Sequence, residues 1–249
     1  MHLIKSFLSN PLSPIHIDLI GVGGTGSYVL QGLAKLNLVH KEVVMNSQGI
    51  KVNVFDPDII SSSNTVRQLF REEEIGESKA MTIVGNINRN YGFSWNAFEE
   101  KYDVRKIKDT QVIILCPDNM EVRRKVYDYV AHKIKGQEIN HGEGVYIIDF
   151  GNSYDYGQVY VSYVPGGNVI KGTASYGFPK GYLETKEDLN EPSCSIAEAI
   201  SKQKLFMNPL LANHGLNLLD ELLTKEQMIY KGVYVSLKTL ASKSINWND

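Results

Sequence analysis

A glycine-rich segment between a strand pattern and a helix pattern narrows the fold of this chain more than any other feature. Residues 16–21 (HIDLIG) have the apolar pattern of a short strand, GVGGTG occupies Gly21–Gly26, and apolar residues recur at helical spacing over 27–38. Glycines let a backbone turn sharply beside phosphate oxygens, and the helix after them presents unpaired N–H groups. The glycines expected to contact phosphate are Gly21, Gly23, Gly24 and Gly26.

Strand and helix patterns alternate along the rest of the first 150 residues. Further strands are predicted over 51–55, 111–115, 145–149 and 158–164, and helices over 79–90 and 119–135. Alternation requires crossover connections, so we predict an α/β fold with a mostly parallel, Rossmann-like sheet flanked by helices. We expect one domain over 1–249, with a nucleotide-binding core in 1–164 and a crossover loop, helices and a strand in 165–249.

The last third of the chain has a different composition. Five glycines interrupt residues 165–192, which predicts a long surface loop that is mobile over 166–191. Residues 195–223 predict two helices, the second capped by Asn208 with Pro209 in its first turn. A final strand is expected over 229–237.

Bulk composition excludes several classes of protein. The chain has 249 residues, a net charge of −2 and two cysteines without a CxxC pair. This excludes a cysteine zinc site unless another chain contributes ligands, and it argues against a disulfide scaffold. No apolar run is long enough to cross a bilayer, and the N-terminus is a poor signal peptide, so we expect no membrane association and a cytoplasmic location. The charge argues weakly against nucleic acid, although Arg123, Arg124 and Lys125 could form a local basic patch.

A carboxylate follows the second predicted strand. Asp56 at this position is expected to accept hydrogen bonds from ribose hydroxyls, although residues 40–49 lengthen its spacing from the glycines. An aspartate in a solvated loop is the alternative. Glycines and a carboxylate alone leave NAD, FAD, ATP and S-adenosylmethionine open as ligands.

Three later segments distinguish among these ligands. They are DPDIISSSNTVRQLF at 56–70, GESKA at 76–80 and CPDNMEVR at 116–123. Together with the glycine loop, this ordered set resembles the ThiF/MoeB/HesA family, which includes the catalytic domains of ubiquitin-activating enzymes. The resemblance implies ATP-dependent adenylation of a carboxylate, most readily the C-terminal glycine of a small ubiquitin-like protein, by a homodimer.

The resemblance also assigns roles to individual residues. Asn64, Arg67, Gln68 and Lys79 are expected to bind the ATP phosphates, and Asp118 to hold Mg²⁺ through the nucleotide; Arg67, Lys79 and Asp118 are also the expected catalytic groups. Each has a simpler alternative. Arg67 could pair with Asp56 or Asp58, Lys79 could be a solvated lysine at a helix start, and Asp118–Asn119 could cap the next helix.

The segment EPSCSIAEAISKQKLFMNPLLANHG at 191–215 resembles ThiF-related proteins of PRTRC plasmid and integrative-element cassettes, which implies a bacterial source. Cys194 is expected near a helix N-terminus, where a thiolate is favoured, with the loop before it controlling access. In relatives a cysteine after such a loop accepts an acyl or sulfur group; here a small capping or buried residue is the alternative. Cys116 ends a strand and is expected in the core.

Two departures from the family keep other functions open. Relatives often carry an N-terminal arginine that reaches the partner's ATP, but no arginine precedes Arg67 here and only Lys5 is available. Zinc-binding CxxC pairs are also missing. The alternatives are a nucleotide-binding scaffold without turnover, adenylation of an RNA-borne or small-molecule carboxylate, and an NAD-dependent oxidoreductase that only GVGGTG supports.

Overall fold

The computed structural model describes residues 1–8, 12–106, 109–135, 144–165 and 203–247. The strands are β1 His2–Leu3, β2 Ile15–Ile20, β3 Ile50–Phe55, β4 Asn96–Phe98, β5 Val112–Leu115, β6 Gly144–Asn152, β7 Tyr156–Pro165, β8 Gln227–Met228, β9 Tyr230–Ser236 and β10 Ala241–Asn246. The helices are α1 Gly24–Val43, α2 Asn64–Arg67, α3 Lys79–Tyr91, α4 Met120–Lys135 and α5 Met207–Thr224, with short 3₁₀ turns at Ser6–Leu8, Glu72–Glu74 and Val104–Lys106.

Eight of these strands form one sheet in the order β10-β9-β7-β6-β5-β2-β3-β4. The run from β6 to β4 is parallel, whereas β7, β9 and β10 join it antiparallel. The predicted mostly parallel sheet flanked by helices is confirmed. Because β2, β3, β5 and β6 run in the same direction, their carboxyl ends meet at one edge of the sheet, where ligands bind in folds of this kind.

Apolar side chains cover both faces of the sheet. On one face, Ile17 and Leu19 of β2 belong to the larger core, together with buried residues of α1, α3 and α5. On the other face, Ile113 of β5 packs with Val126 and Val130 of α4. β5 is therefore buried on both sides, which accounts for its unbroken apolar sequence.

The antiparallel end of the sheet combines strands from both sides of the segment 166–202. β9 pairs with β7, and the short β8 pairs with β1 at the N-terminus. The predicted last strand is present as β9. The sequence did not predict β1, β4, β8 and β10, which are short or exposed. Among the described helices, none is long and apolar enough to cross a membrane.

The prediction for the start of α5 was wrong. Phe206, not Asn208, occupies the N-cap position, and no side chain caps this helix end. Asn208 lies inside the first turn and is only 1% exposed. Its amide hydrogen-bonds to three other side chains instead, as described below. The predicted mobile loop 166–191 and the first predicted helix before 203 lie outside the described residues.

Candidate functional site

The glycine loop connects the carboxyl end of β2 to α1. Gly21 has a φ of +85°, a conformation that side chains rarely tolerate. A β-carbon at Gly26 would collide with the Gly21 carbonyl, so the turn closes on itself. α1 begins at Gly24, has no side-chain cap and carries no acidic residue in its first turn. The first N–H groups of the helix are therefore available to an anion.

Asp56 lies beside this loop at the end of β3 and is buried. One carboxylate oxygen accepts the N–H of Val22 at 2.7 Å, and the other accepts the N–H of Asp58 at 2.9 Å. Burial raises the pKa of the Asp56 carboxyl, although both backbone hydrogen bonds oppose the rise. The solvated-loop alternative is wrong for this aspartate, because the fold fixes its orientation.

A cavity of about 980 Å³ extends from the glycine loop across the carboxyl edge of the sheet. The predicted residues that line it are Gly21, Gly23, Gly24, Asp56, Arg67, Gln68, Lys79 and Asp118. Gly26 and Asn64 do not line the cavity. Gly26 packs against the Gly21 carbonyl beneath the loop, and the Asn64 side chain accepts the Ser61 N–H at 2.9 Å. Cys194 and its proposed access loop lie outside the described residues.

Two neighbouring side chains at α2 carry unused hydrogen-bonding atoms. Within the described ranges, Arg67 Nε and Gln68 Oε1 are buried without a partner. Arg67 forms no ion pair with Asp56 or Asp58, so the alternative reading of this arginine is wrong. Burial lowers the pKa of its guanidinium, which is so basic that the group stays charged at neutral pH. An unpaired, half-buried cation facing a cavity indicates an anionic ligand.

Lys79 is the second cation at the cavity. Its side chain is only 8% exposed, and its Nζ lies 2.9 Å from the carboxylate of the more exposed Asp58. Ser78 provides the N-cap of α3 by accepting the Met81 N–H, so Lys79 starts the helix without capping it. The alternative of a solvated lysine is wrong.

Asp118 and Asn119 follow β5 and have different roles. Asn119 Oδ1 accepts the N–H groups of Glu121 and Val122 at 2.7 and 3.3 Å, which caps α4. Asp118 is exposed at the cavity and is not part of that cap. The described residues contain no cluster of three or more metal-ligating side chains. A single carboxylate beside a phosphate loop nevertheless fits Mg²⁺, which usually keeps water and takes its other ligands from phosphates.

Arg123 lies in the first turn of α4, and it does not belong to the basic patch that the sequence predicted. It forms a buried ion pair with Asp149 and donates to the carbonyls of Pro117 and Phe150, the latter at 2.6 Å. This arginine is therefore part of the interior and does not present charge to nucleic acid. Its bond to Pro117 fixes the backbone immediately before Asp118.

Several cavity residues were not predicted from the sequence. Thr25, Asn152, Gln203 and Asn208 form a hydrogen-bonded group on the β6 side of the glycine loop. Tyr102 lies on the β3 side, where its ring meets Phe55 edge-on at 4.8 Å and its hydroxyl donates to the buried Asp18 at 2.9 Å. Thr25 lies within the glycine motif itself. The others come from segments distant in the sequence, and only Asn208, a polar residue in the apolar first turn of α5, gave a signal.

Two further residues considered from the sequence, Cys116 and Lys5, make contacts that support the fold. Cys116 packs against the larger core, as expected, and burial raises the pKa of its thiol to about 12. Lys5 donates its N–H to the Tyr146 hydroxyl at 3.1 Å, and its Nζ lies 5.4 Å from the centre of the Tyr163 ring. Tyr146 pairs with Val112 at the start of β5. Lys5 therefore lies at the amino edge of the sheet, opposite the cavity of its own chain.

Solved structures with a similar fold are distant in sequence. PaaA matches 96% of this chain with a TM-score of 0.63 and 15% identity. Escherichia coli MccB matches 96% of it as well, with a TM-score of 0.62 at 14% identity in a structure with ATP, and 0.62 at 17% identity in a structure with AMPCPP and MccA. The chain spans 66% of the length of each. No curated protein matches it.

The match to a protein family covers nearly the whole chain. It extends over residues 5–246 and so includes the glycine loop, the unpaired Arg67, the buried Lys79 and the α5 helix. On this match, the chain belongs to the ThiF family.

Proposed function

We propose that this protein uses ATP to adenylate a carboxylate. The observation that carries the proposal is the buried, unpaired Arg67 Nε next to an uncapped helix N-terminus in the same cavity. A guanidinium and a row of free N–H groups bind phosphate oxygens through charge-assisted hydrogen bonds. Lys79 lies at the same cavity and adds a second positive charge.

Different parts of the cavity match the base, the ribose and the phosphates of ATP. Asp56 lies where the ribose hydroxyls of a nucleotide would meet the end of β3, and the rings of Phe55 and Tyr102 offer an apolar surface for a base. The phosphates would then reach Gly21–Gly24, Arg67 and Lys79. The cations favour a triphosphate over a dinucleotide, because a hydride-transfer site has no need for them.

The reaction needs a carboxylate oxygen to attack the α-phosphorus while the bond to the β-phosphate breaks and pyrophosphate leaves. Arg67 and Lys79 stabilise the charge that develops on the leaving group, since both are preorganised by burial. The glycine-loop N–H groups hold the α-phosphate in place. Mg²⁺ bound to the phosphates would add charge neutralisation, with Asp118 as its protein ligand.

The acceptor is proposed to be the C-terminal carboxylate of a peptide or small protein, ubiquitin-like in its C-terminal glycine. MccB has been solved with MccA, which supports a polypeptide acceptor in a protein of this fold. Cys194 would then receive the acyl group from the adenylate, with AMP as the leaving group. The homodimer, the bacterial source and the relation to PRTRC cassettes belong to the same proposal.

A nucleotide-binding scaffold without turnover is the second candidate. The lack of an arginine among residues 1–66 favours it, because relatives often use such an arginine to reach the ATP of the partner subunit. A scaffold would bind ATP as tightly as an enzyme does. It would differ in releasing no pyrophosphate.

ATP–pyrophosphate exchange tests the proposal. The full chain, with Mg²⁺ and peptides that end in glycine, is expected to exchange labelled pyrophosphate into ATP only when a free carboxylate is present. Arg67→Ala should lower exchange, whereas Arg71→Ala, which removes an exposed arginine paired with Glu73 and Glu74, should not. ATP binding without exchange under every condition would support the scaffold, and tighter calorimetric binding of NAD than of ATP would contradict both candidates.

A further inference from the structure

Four uncharged polar side chains form a connected group at the β6 end of the cavity. Asn208 Oδ1 accepts from Thr25 Oγ1 at 3.1 Å and from Asn152 Nδ2 at 2.8 Å. Asn208 Nδ2 donates to Gln203 Oε1 at 2.9 Å, and Asn152 Nδ2 also donates to Thr25 Oγ1 at 3.1 Å. All four residues line the cavity. A β-carbon on Gly24 would meet the Asn208 amide at 2.5 Å, so this group lies directly against the glycine loop.

These bonds leave two groups unused. Among the described residues, Asn152 Oδ1 has no donor and Gln203 Nε2 has no acceptor, although both side chains reach the cavity. Gln203 is only 8% exposed and Asn208 only 1%, whereas Asn152 is exposed at the end of β6, where a ligand can reach its amide. One acceptor and one donor, joined through a single intervening amide, complement the N–H and C=O of one residue in an extended chain.

The distribution of charge in the cavity favours the β6 end as the binding site for the carboxylate acceptor. Asp56 follows β3 and Asn152 ends β6, three strand spacings apart, or about 14 Å. Arg67 and Lys79 come from α2 and α3, which follow β3. At the β6 end, Thr25, Asn152, Gln203 and Asn208 are uncharged, and the charge of Arg123 is neutralised by the buried Asp149. Attacking and leaving groups lie on opposite sides of the phosphorus in an in-line reaction. Pyrophosphate, which is highly charged, suits the side with the cations, and the acceptor suits the uncharged side.

We propose that Asn152 and Gln203 recognise the residue before the C-terminal one in the acceptor, with its N–H donating to Asn152 Oδ1 and its C=O accepting from Gln203 Nε2. Asn208 is a positioning residue that orients both amides. This inference rests on the proposed adenylation, and it adds a selection for peptide carboxylates over simple organic acids.

The experiment compares two probes in the exchange reaction. One is N-acetyl-glycylglycine, and the other is its ester analogue, in which oxygen replaces the N–H of the first glycine. The protein is expected to favour the peptide in kcat/KM by about tenfold, the effect of one neutral hydrogen bond. Asn152→Leu should reduce this preference to about onefold. Asn213→Leu, an exposed change on α5 outside the cavity, should preserve it.

A purely structural role for Asn152 would lower both rates and leave their ratio unchanged, and that result would overturn the inference. Asn152→Ala removes the same acceptor oxygen with a smaller change and should also abolish the preference, which provides a test if Asn152→Leu does not fold. Weaker ATP binding by Asn152→Leu in calorimetry would assign the group to the nucleotide and also contradict the inference. If the unaltered protein exchanges pyrophosphate with both probes equally, this inference fails alone; if it exchanges with no carboxylate, the proposed adenylation fails as well.

Discussion

Lys79 Nζ lies 2.9 Å from Asp58, but only the lysine is buried. The aspartate is 63% exposed and loses little by separating, whereas the lysine is 8% exposed and depends on a negative partner to offset the loss of water around its charge. A phosphate that reaches the cavity therefore meets a cation that is held in place by a weakly bound carboxylate. We expect phosphate to replace Asp58 as the partner of Lys79.

This exchange of partners predicts unequal effects for the two residues. Lys79→Met should weaken ATP binding by about 1.5–3 kcal/mol, the range for a hydrogen bond to a charged group. Asp58→Asn should leave ATP affinity equal or slightly higher, and it should destabilise the free protein because the buried Lys79 loses its counter-charge. Calorimetric titration and thermal melts measure both quantities. Equal losses of affinity in the two variants would show that Asp58 itself contacts the ligand.

The buried Asp56 predicts a pH dependence of ATP binding. Ribose hydroxyls donate to the ionised carboxylate, and burial raises the pKa of Asp56, so protonation begins at a higher pH than the usual value of about 3.9. ATP affinity should therefore fall as pH falls through this raised pKa. Folding has the opposite sign: a raised pKa contributes stability that is present below the unfolded pKa and lost as pH rises through the folded one.

Comparison with Asp56→Asn isolates that effect, because ATP phosphates titrate in the same region. The difference between the two affinity profiles should show one ionisation above the range of an ordinary aspartate. Parallel profiles over the whole acidic range would rule out Asp56 as the ribose ligand.

Two glycine-to-alanine changes, one in the glycine loop and one in α3, should have opposite effects on stability. At Gly26, a β-carbon would collide with the backbone carbonyl of Gly21, which has no room to move without opening the turn. At Gly85 in α3, nothing lies within 4 Å of an added β-carbon. Gly26→Ala should lower the melting temperature, and Gly85→Ala should stabilise the protein by about 0.5–1 kcal/mol. A stable Gly26→Ala protein with normal ATP binding would disprove the closed turn.

The Arg123–Asp149 pair predicts a large loss of stability on removal of one partner. Asp149 is fully buried, so Arg123→Met leaves a carboxylate without a counter-charge and should cost about 3–5 kcal/mol. The double variant Arg123→Met with Asp149→Leu should recover much of that loss. Denaturant unfolding measures both. A double variant less stable than Arg123→Met by the full cost of Asp149→Leu would show that the two side chains do not act as a pair.

Sequence patterns predicted the parallel half of the sheet well and the rest of the molecule less completely. β2, β3, β5 and β6 are buried runs joined by helices, so their periodicity is strong. β10 has four exposed residues in succession, and β4 has only three residues, which leaves too little apolar pattern to detect. The order of strands beyond β6 depends on contacts distant in the sequence.

For the candidate site too, the sequence predicted residues within local motifs but not those brought together by contacts distant in the sequence. Arg67, Lys79 and Asp118 were identified because they belong to an ordered motif, and all three line the cavity. Asn208 was taken for a cap because an Asn-Pro pair often starts a helix. Its amide is instead used by Thr25 and Asn152, which are 183 and 56 residues away in the sequence. A local pattern contains no information about such partners.

Transfer of a labelled oxygen tests the central claim most directly. The protein is incubated with ATP, Mg²⁺ and a glycine-terminated peptide whose carboxylate carries ¹⁸O, and hydroxylamine is added to release the activated acyl group. Adenylation joins a carboxylate oxygen to the α-phosphorus, so attack of hydroxylamine on the acyl carbon must leave that oxygen on AMP. We predict AMP that contains one ¹⁸O atom, with unlabelled pyrophosphate. Label in inorganic phosphate with formation of ADP, or no labelled product at all, would contradict the account.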